Sequence, residues 1–405
     1  MVTGVPNYIA TYTAPATTTT FTDSLSCTAS NATGNWQVKV PIALVSPVRT
    51  SVAPPSLLIT DSSNDRVLLF DAPLSPGVSA TAVLGQASFG DRTPETTASG
   101  FAGAAAAVTD QQGNIWVTDG LGNRVLRFSP LFVDGMAANL VIGQPNFTAS
   151  DASTSLSGLS TPHGLVFDKS GNLWIADSDN GRILEFSPPF TSGMAAILAL
   201  GQPPFSRGVC LFNSTASNLC YPTDLRFDTT GNLWVVDSNN NRIVEFQPPF
   251  VTGQSASIVL GEPDFSSRAQ QSPTSSTLYI PWGAAFDKSG NLWVTDGGNW
   301  RVLEFSFPFS NGQSASVVLG FPDFTGTVNN RAQSDMSNPR GVTFDAAGNL
   351  LVADLGGSRV LVFKPPFTNG MDATSVIGQP NLTTLGGIFP PTAASLSNPL
   401  SVFVP

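Results

Sequence analysis

Two side chains in the sequence are of the types that form a general acid–base pair. His163 is the single histidine among 405 residues, and Asp224 supplies a carboxylate. Held within hydrogen-bond reach of each other, an imidazole and a carboxylate can transfer a proton during hydrolysis or elimination. Trp282, Trp300 and Arg340 would add aromatic faces and a cation, which together suit a pocket for a sugar or for the end of a peptide.

The sequence lacks the motifs of other common active sites. It contains no G-x-S-x-G, no H-E-x-x-H, no P-loop and no Cys-x-x-Cys. A single histidine cannot build a multi-histidine zinc site. We therefore assign no catalytic residue and expect no metal and no cofactor.

Composition excludes two classes of partner. Only 11% of the residues are charged, and the formal net charge is −10. Neither a phosphate backbone nor an anionic lipid surface is attracted to such a chain. No run of eighteen apolar residues is present. We expect no nucleic-acid partner and no membrane insertion.

The elements that must position these side chains come from a repeat. One ten-residue phrase occurs six times: DSSNDRVLLF from Asp61, DGLGNRVLRF from Asp119, DSDNGRILEF from Asp177, DSNNNRIVEF from Asp237, DGGNWRVLEF from Asp296 and DLGGSRVLVF from Asp354. Around each phrase lie four short segments rich in β-branched, aromatic and Leu residues, separated by turns with Gly, Asn, Asp and Pro. Six such units predict an all-β protein, a six-bladed β-propeller of four-stranded blades.

These units resemble the NHL repeat, which reads P-x-G-hydrophobic-x-x-D, G-N-hydrophobic-x-V-x-D and then N-R-hydrophobic-x-x-F. The resemblance extends from about residue 56 to residue 405, and units three to six carry nearly all of the pattern. It implies a six-bladed propeller of the bacterial, secreted type. Some six-bladed relatives are lyases or lactone hydrolases with zinc or calcium at the propeller axis. Such lyases use several histidines, and an axial calcium would need several inward oxygen ligands, of which only Asp224 is offered.

Residues that recur in every unit are expected to be structural. Each copy of the phrase begins with an aspartate and has an arginine five residues later, on either side of a predicted hairpin. A catalytic group is needed once, whereas a staple is needed in each of six turns. The six arginines are Arg66, Arg124, Arg182, Arg242, Arg301 and Arg359.

Residues that differ between units are better candidates for a ligand site. The equivalent positions at the start of each first strand are Ala105, His163, Thr223, Trp282, Arg340 and Leu400, and Asp224 stands where other units have glycine. Trp300 in its hairpin should face the same end of the axis. His163, Asp224, Trp282, Trp300 and Arg340 therefore form the candidate axial site, with an ordinary plugged or solvated channel as the alternative.

The domain prediction separates residues 1–50 from a propeller at 51–405. Residues 399–405 repeat the opening strand of a unit and should close the ring by pairing with residues 57–61. The segment 1–50 weakly resembles the last strands of a bacterial immunoglobulin-like domain. It would either fold onto its own propeller or add its strands to another copy of the chain.

The cysteines and the surface composition predict a protein outside the cell that acts as a binding scaffold. Cys210 and Cys220 are the two ends of an eleven-residue stretch in a long loop, which predicts a disulfide and an oxidising environment. We expect an extracellular or cell-surface scaffold without catalysis that binds a protein, a glycan or its own copies. The alternative is a hydrolase or lyase with its site on the propeller axis.

Overall fold

A computed structural model describes residues 55–201, 214–268, 272–326 and 335–405, together with the backbone of 24–31 and 34–41. The chain divides into two compact units, Met1–Pro47 and Val48–Pro405. In the first unit, β1 (Ser24–Asn31) and β2 (Gly34–Pro41) form an antiparallel hairpin. Cys210 lies outside the described residues, so its disulfide with Cys220 stays a prediction. In the part of the chain that is described, no helix has the length and apolar character needed to cross a bilayer.

The described residues of the second unit form twenty-four strands. In chain order they are β3 Leu57–Asp61, β4 Arg66–Phe70, β5 Ala82–Leu84, β6 Ala104–Thr109, β7 Ile115–Asp119, β8 Arg124–Phe128, β9 Leu140–Ile142, β10 Pro162–Phe167, β11 Leu173–Asp177, β12 Arg182–Phe186, β13 Leu198–Leu200, β14 Pro222–Phe227, β15 Leu233–Asp237, β16 Arg242–Phe246, β17 Ile258–Leu260, β18 Pro281–Phe286, β19 Leu292–Asp296, β20 Arg301–Phe305, β21 Val317–Leu319, β22 Pro339–Phe344, β23 Leu350–Asp354, β24 Arg359–Phe363, β25 Ser375–Ile377 and β26 Pro399–Phe403.

These strands form six antiparallel four-stranded sheets, which confirms the predicted six-bladed β-propeller. Blade one contains β26, β3, β4 and β5, blade two contains β6 to β9, and the later blades follow in groups of four. The first strands, β6, β10, β14, β18, β22 and β26, contact one another in a closed ring around the axis. Helical structure in the described residues is limited to four 3-10 turns, at Ser62–Asn64, Ser178–Asn180, Ser238–Asn240 and Gly297–Asn299.

Burial on both faces explains the composition of the middle strands. In β11, every residue of the sequence LWIAD is buried, because blade three packs against a neighbour on each side. Trp174 is 1% exposed and contacts the edges of Phe227 and Phe250 from the next blade, with ring centroids 5.7 and 5.0 Å away. Its indole N–H donates to Asp168 in the turn before β11, so burial leaves this polar group paired. Trp116, Trp234 and Trp293 repeat this arrangement.

The C-terminal strand closes the ring, as the sequence predicts. Residues Pro399, Ser401, Val402 and Phe403 of β26 pair with β3 in antiparallel register. Val402 is 1% exposed and packs into the core between blades six and one. The first blade therefore obtains its innermost strand from the other end of the propeller, and no inner edge of blade one is left open.

A buried ion pair joins the second and third strands of every blade. In blade three, Arg182 Nε donates to Asp177 Oδ2 at 2.7 Å, and the other five pairs have distances of 2.7–2.8 Å. The second oxygen, Asp177 Oδ1, accepts the backbone N–H of Ser160 in the connection that enters the blade. Arg182 also donates to the carbonyl of Gly158 in that connection. The predicted staple therefore fixes a hairpin and a connection between blades at the same time.

Most of these arginines hold two connections. Arg124 donates one terminal nitrogen to the carbonyl of Gly100, before its blade, and the other to the carbonyl of Phe147, after its blade. Arg66, Arg242, Arg301 and Arg359 follow the same pattern. The side chains thus link successive blades around the ring.

Deleting residues 399–405 should destabilise the propeller. The deletion exposes the backbone edge of β3 and removes Val402, whose burial alone is worth roughly 1.5–3 kcal/mol. We expect the melting temperature measured by circular dichroism to fall by at least about 5 °C. A chain lacking only residues 404–405 keeps β26 and serves as the control. Equal melting temperatures for the two deletions would contradict closure by β26.

Replacing a staple aspartate should cost much more stability than replacing its exposed neighbour. Asp177→Ala leaves the Arg182 guanidinium buried without its carboxylate, which typically costs about 3–5 kcal/mol. Asp179→Ala removes an exposed aspartate in the same hairpin and should change the free energy of unfolding by less than about 1 kcal/mol. Urea unfolding of the two variants compares them directly. Similar small losses for both would show that the pair is not a staple.

Candidate functional site

The propeller axis is closely packed where the first strands converge. A Cβ added at Gly164 would lie 2.7 Å from the Asp224 Cα, and one at Gly283 would lie 2.5 Å from the Arg340 carbonyl oxygen. These contacts explain why three of the six units have glycine at this position. The remaining axial cavity has a volume of about 20 Å³. Its lining includes His163, Asp224 and Trp282 of the candidate site.

His163 is a neutral, buried side chain whose ring is fixed by the backbone. Its Nδ1 lies 3.0 Å from the carbonyl oxygen of Thr161 and 3.0 Å from Ser178 Oγ. Because a carbonyl can only accept, we assign the proton to Nδ1. Burial lowers the pKa of His163 to about 4, with a smaller lowering from Arg340 and opposing contributions from Thr161 and Asp179.

Asp224 links two blades through hydrogen bonds to both of its carboxylate oxygens. Its Oδ1 accepts Arg226 Nη1 at 2.7 Å and the N–H of Leu225 at 2.9 Å. Its Oδ2 accepts the N–H of Ala284 in the next blade at 3.0 Å. Burial raises the pKa of this carboxyl, whereas the charge of Arg226 lowers it. Among the described contacts, His163 and Asp224 share no hydrogen bond, so the acid–base pair that their residue types suggest is not formed.

Four side chains form a cluster at one end of the axis, and we call this cluster the axial mouth: His163, Tyr221, Trp282 and Arg340. The His163 ring meets the Trp282 ring edge-on with centroids 5.1 Å apart, and Tyr221 lies 5.4 Å from His163 and 6.4 Å from Trp282. The Arg340 guanidinium carbon stands 3.6 Å from the centre of the Trp282 ring. Tyr221, Trp282 and Arg340 are each partly exposed, which leaves the cluster open to a ligand.

Tyr221 was not predicted as a site residue. It precedes Pro222 at the start of β14 and has a left-handed backbone with φ of 55°. Thr161, Ile280, Asn338 and Asn398 occupy the same position before a proline and share this conformation. The sequence feature that could have indicated Tyr221 as a site residue is an aromatic side chain at this repeated position before a proline. Burial raises the pKa of Tyr221, Asp179 raises it further, and Arg340 lowers it.

Arg340 differs from the six repeated arginines because its guanidinium makes no hydrogen bond to the described residues. Its Nε and Nη1 atoms are both buried and lack a partner there. Burial lowers the pKa of Arg340 to about 10, and Tyr221 raises it. The side chain therefore keeps its positive charge at neutral pH.

The structure does not bring Trp300 together with the other residues of the predicted site. Its hairpin joins the second and third strands of blade five and lies farther from the axis than β18 does. There Trp300 is 39% exposed with a left-handed φ of 56°. It lines a separate surface cavity of about 460 Å³ with Ser337 and Leu385. The described residues contain no group of three or more His, Cys, Asp or Glu side chains placed to hold a metal ion.

The low pKa of His163 predicts a specific loss of stability in acid. The unfolded chain takes up a proton near pH 6.5, whereas the folded state resists protonation until about pH 4. Stability contributed by neutral His163 is therefore complete above pH 6.5 and is lost as the pH falls to about 4. We expect the native chain to lose about 3 kcal/mol more than His163→Gln between pH 7 and pH 4, measured by urea unfolding. An NMR titration giving this single imidazole a pKa near 6.5 would contradict the prediction.

Comparison with known proteins agrees with this architecture. The NHL repeat model matches residues 159–186, 219–246 and 278–305, which are the first three strands of blades three, four and five. Peptidyl-alpha-hydroxyglycine alpha-amidating lyase 2 of Drosophila melanogaster is 32% identical over 211 residues, covering 48% of this chain and 46% of that protein. NHL repeat-containing protein 3 of Homo sapiens is 24% identical over 226 residues, covering 54% and 56%. The chain thus spans about half the length of these two relatives.

Among solved structures, virginiamycin B lyase from Staphylococcus aureus aligns with a TM-score of 0.43 and 14% identity, over 78% of this chain and 83% of that one. The fold assignment rests on the six four-stranded sheets, and the repeat assignment rests on the matches within three of them. The chain contains NHL repeats in three of its blades and has the six-bladed β-propeller fold.

Proposed function

We propose that this chain is a non-catalytic binding propeller, extracellular or at the cell surface, whose axial mouth receives part of a protein or glycan partner. The proposal is supported by what each mouth residue has available for a ligand. His163 Nδ1 and both carboxylate oxygens of Asp224 form hydrogen bonds within the propeller. Trp282, Tyr221 and Arg340 instead offer partly exposed ring faces and a cation, the residue types that dominate binding energy at interfaces.

The size of the axial cavity is the observation that carries the non-catalytic assignment. A volume of about 20 Å³ accommodates roughly one water molecule. A substrate would have to enter between His163 and Asp224 to be processed by them. The packing of Gly164 against Asp224 leaves no such space. Contact with a partner is therefore confined to the outer surface of the axial mouth.

The low charge density, the net charge of −10 and the predicted Cys210–Cys220 disulfide support a location outside the cell. A second copy of the chain is one candidate partner, because a two-stranded hairpin such as β1–β2 is marginal alone and can extend another sheet edge. Light scattering of the full chain would contradict this self-association if only monomer appeared at high concentration.

The binding proposal can be tested with matched tryptophan variants. Peptide and glycan arrays would first identify a ligand of the native chain. Trp282→Ala should then weaken binding of that ligand about 30-fold, as expected for an interface residue worth about 2 kcal/mol. Trp300→Ala removes an exposed tryptophan outside the axial mouth and should leave the affinity unchanged. If Trp282→Ala bound as tightly as the native chain, the axial mouth would not be the binding site.

A lyase with its site at the axis is the second candidate. It is favoured by the 32% identity to the Drosophila melanogaster lyase over 211 residues. Its test is incubation of the chain with a peptidyl-α-hydroxyglycine, with and without added zinc or calcium, followed by mass spectrometry of the peptide. If product formed with the folded native chain and did not form with His163→Ala, the lyase function would replace the non-catalytic proposal.

A further inference from the structure

The Arg340 guanidinium differs from the staple arginines in what surrounds it. Each staple arginine donates to an aspartate and to carbonyls of the connections, as Arg242 does to Asp237, Phe265 and Asn218. Arg340 has the face of Trp282 on one side and no acceptor for its buried Nε and Nη1 among the described residues. Buried donors are nearly always paired in proteins, so this arrangement indicates that an acceptor is missing.

The charge of Arg340 is also uncompensated. Asp224, the carboxylate that lines the axial cavity, is already paired with Arg226. Asp179, the acidic residue that acts on His163 and Tyr221, accepts a hydrogen bond from Thr161 Oγ1 at 2.6 Å. Arg340 forms no ion pair with any described residue. The axial mouth therefore presents a fixed cation, held in place by Trp282, that lacks a counter-ion.

On this basis, and resting on the proposed function, we propose that the axial mouth binds a carboxylate carried on an apolar body, with Arg340 as the cation that recognises it. Trp282 and Tyr221 supply ring faces for the apolar body. The phenol of Tyr221 can donate to the same carboxylate, whereas neutral His163 has its ring proton committed to Thr161.

A single carboxylate fits these surroundings better than a phosphate. One arginine matches one negative charge. The carboxylate of Asp179 lies close enough to act on His163 and Tyr221, so a second negative charge on the ligand would be repelled. The net charge of −10 would also repel a polyanion. The carboxylate could come from a free organic acid or from the C-terminus of a polypeptide, and both present the same group to Arg340.

The test compares an acid with its uncharged amide. Isothermal titration calorimetry of the native chain should show N-acetyl-phenylalanine binding at least tenfold more tightly than N-acetyl-phenylalaninamide. Arg340→Met keeps an apolar stem over Trp282 and should weaken binding of the acid at least tenfold without changing that of the amide. Arg127→Met is the matched control, because Arg127 also lies over a tryptophan, Trp116, and makes its own hydrogen bond to Asn139.

Two further titrations separate the sources of the anion. A pentapeptide ending in phenylalanine with a free carboxylate should bind more tightly than N-acetyl-phenylalanine if the ligand is a chain end, and equally if it is a small acid. Both results support the proposal. Inorganic phosphate that displaced the acid more effectively than acetate does at equal ionic strength would overturn the choice of a carboxylate.

The remaining outcomes distinguish carboxylate recognition by Arg340 from the proposed function, which is binding of a partner at the axial mouth. Equal binding of acid and amide, with both weakened by Trp282→Ala, would overturn carboxylate recognition and leave the axial mouth as a binding site. Equal binding that Trp282→Ala does not affect would overturn both. If neither compound bound, carboxylate recognition would be overturned, and the array ligand would still decide the proposed function. Because the acid–amide comparison uses the native chain, it remains decisive even if Arg340→Met fails to fold.

Discussion

The buried Asp–Arg pair in each blade is the interaction on which the rest of the propeller depends. A charge pair removed from water is a weak source of stability unless its remaining atoms are also bonded. Here the second oxygen of Asp237 accepts the N–H of Cys220, and Arg242 donates to the carbonyls of Phe265 and Asn218. The pair therefore sets the hairpin and also the long connections that enter and leave the blade. Because those connections are irregular backbone, such bonds are what gives them a defined path.

Close packing of the first strands leaves little space on the propeller axis. The first strands approach so closely that Gly164 and Gly283 cannot carry a side chain, and the axis retains space for about one water molecule. Asp224 lines this cavity and bonds to the next blade, so a residue that interrupts the repeat is part of the scaffold. The space left on the axis is too small for a ligand larger than water, whereas the side chains of the axial mouth meet solvent.

Arginine has two different roles in this protein, and its surroundings separate them. A staple such as Arg182 is surrounded by its aspartate and by loop carbonyls, so its charge and its donors are satisfied within the chain. Arg340 is held by the face of Trp282, which restricts its position without providing acceptors for its N–H groups. Fixing a cation before the ligand arrives reduces the ordering cost of binding. The contrast supports a recognition role for Arg340 and a structural one for the six repeated arginines.

Sequence periodicity by itself determined the six blades, the closing strand and the Asp–Arg pairs, because these features repeat and each copy must satisfy the same local bonds. It also brought His163, Trp282 and Arg340 to one end of the axis, since equivalent strand positions must lie there together. Tertiary structure alone decided that Tyr221 joins them, that Trp300 does not, and that Asp224 bonds to Ala284 instead of His163. The direction of a side chain at a hairpin or before a proline depends on backbone conformation and on neighbouring blades, which residue types and spacing do not specify.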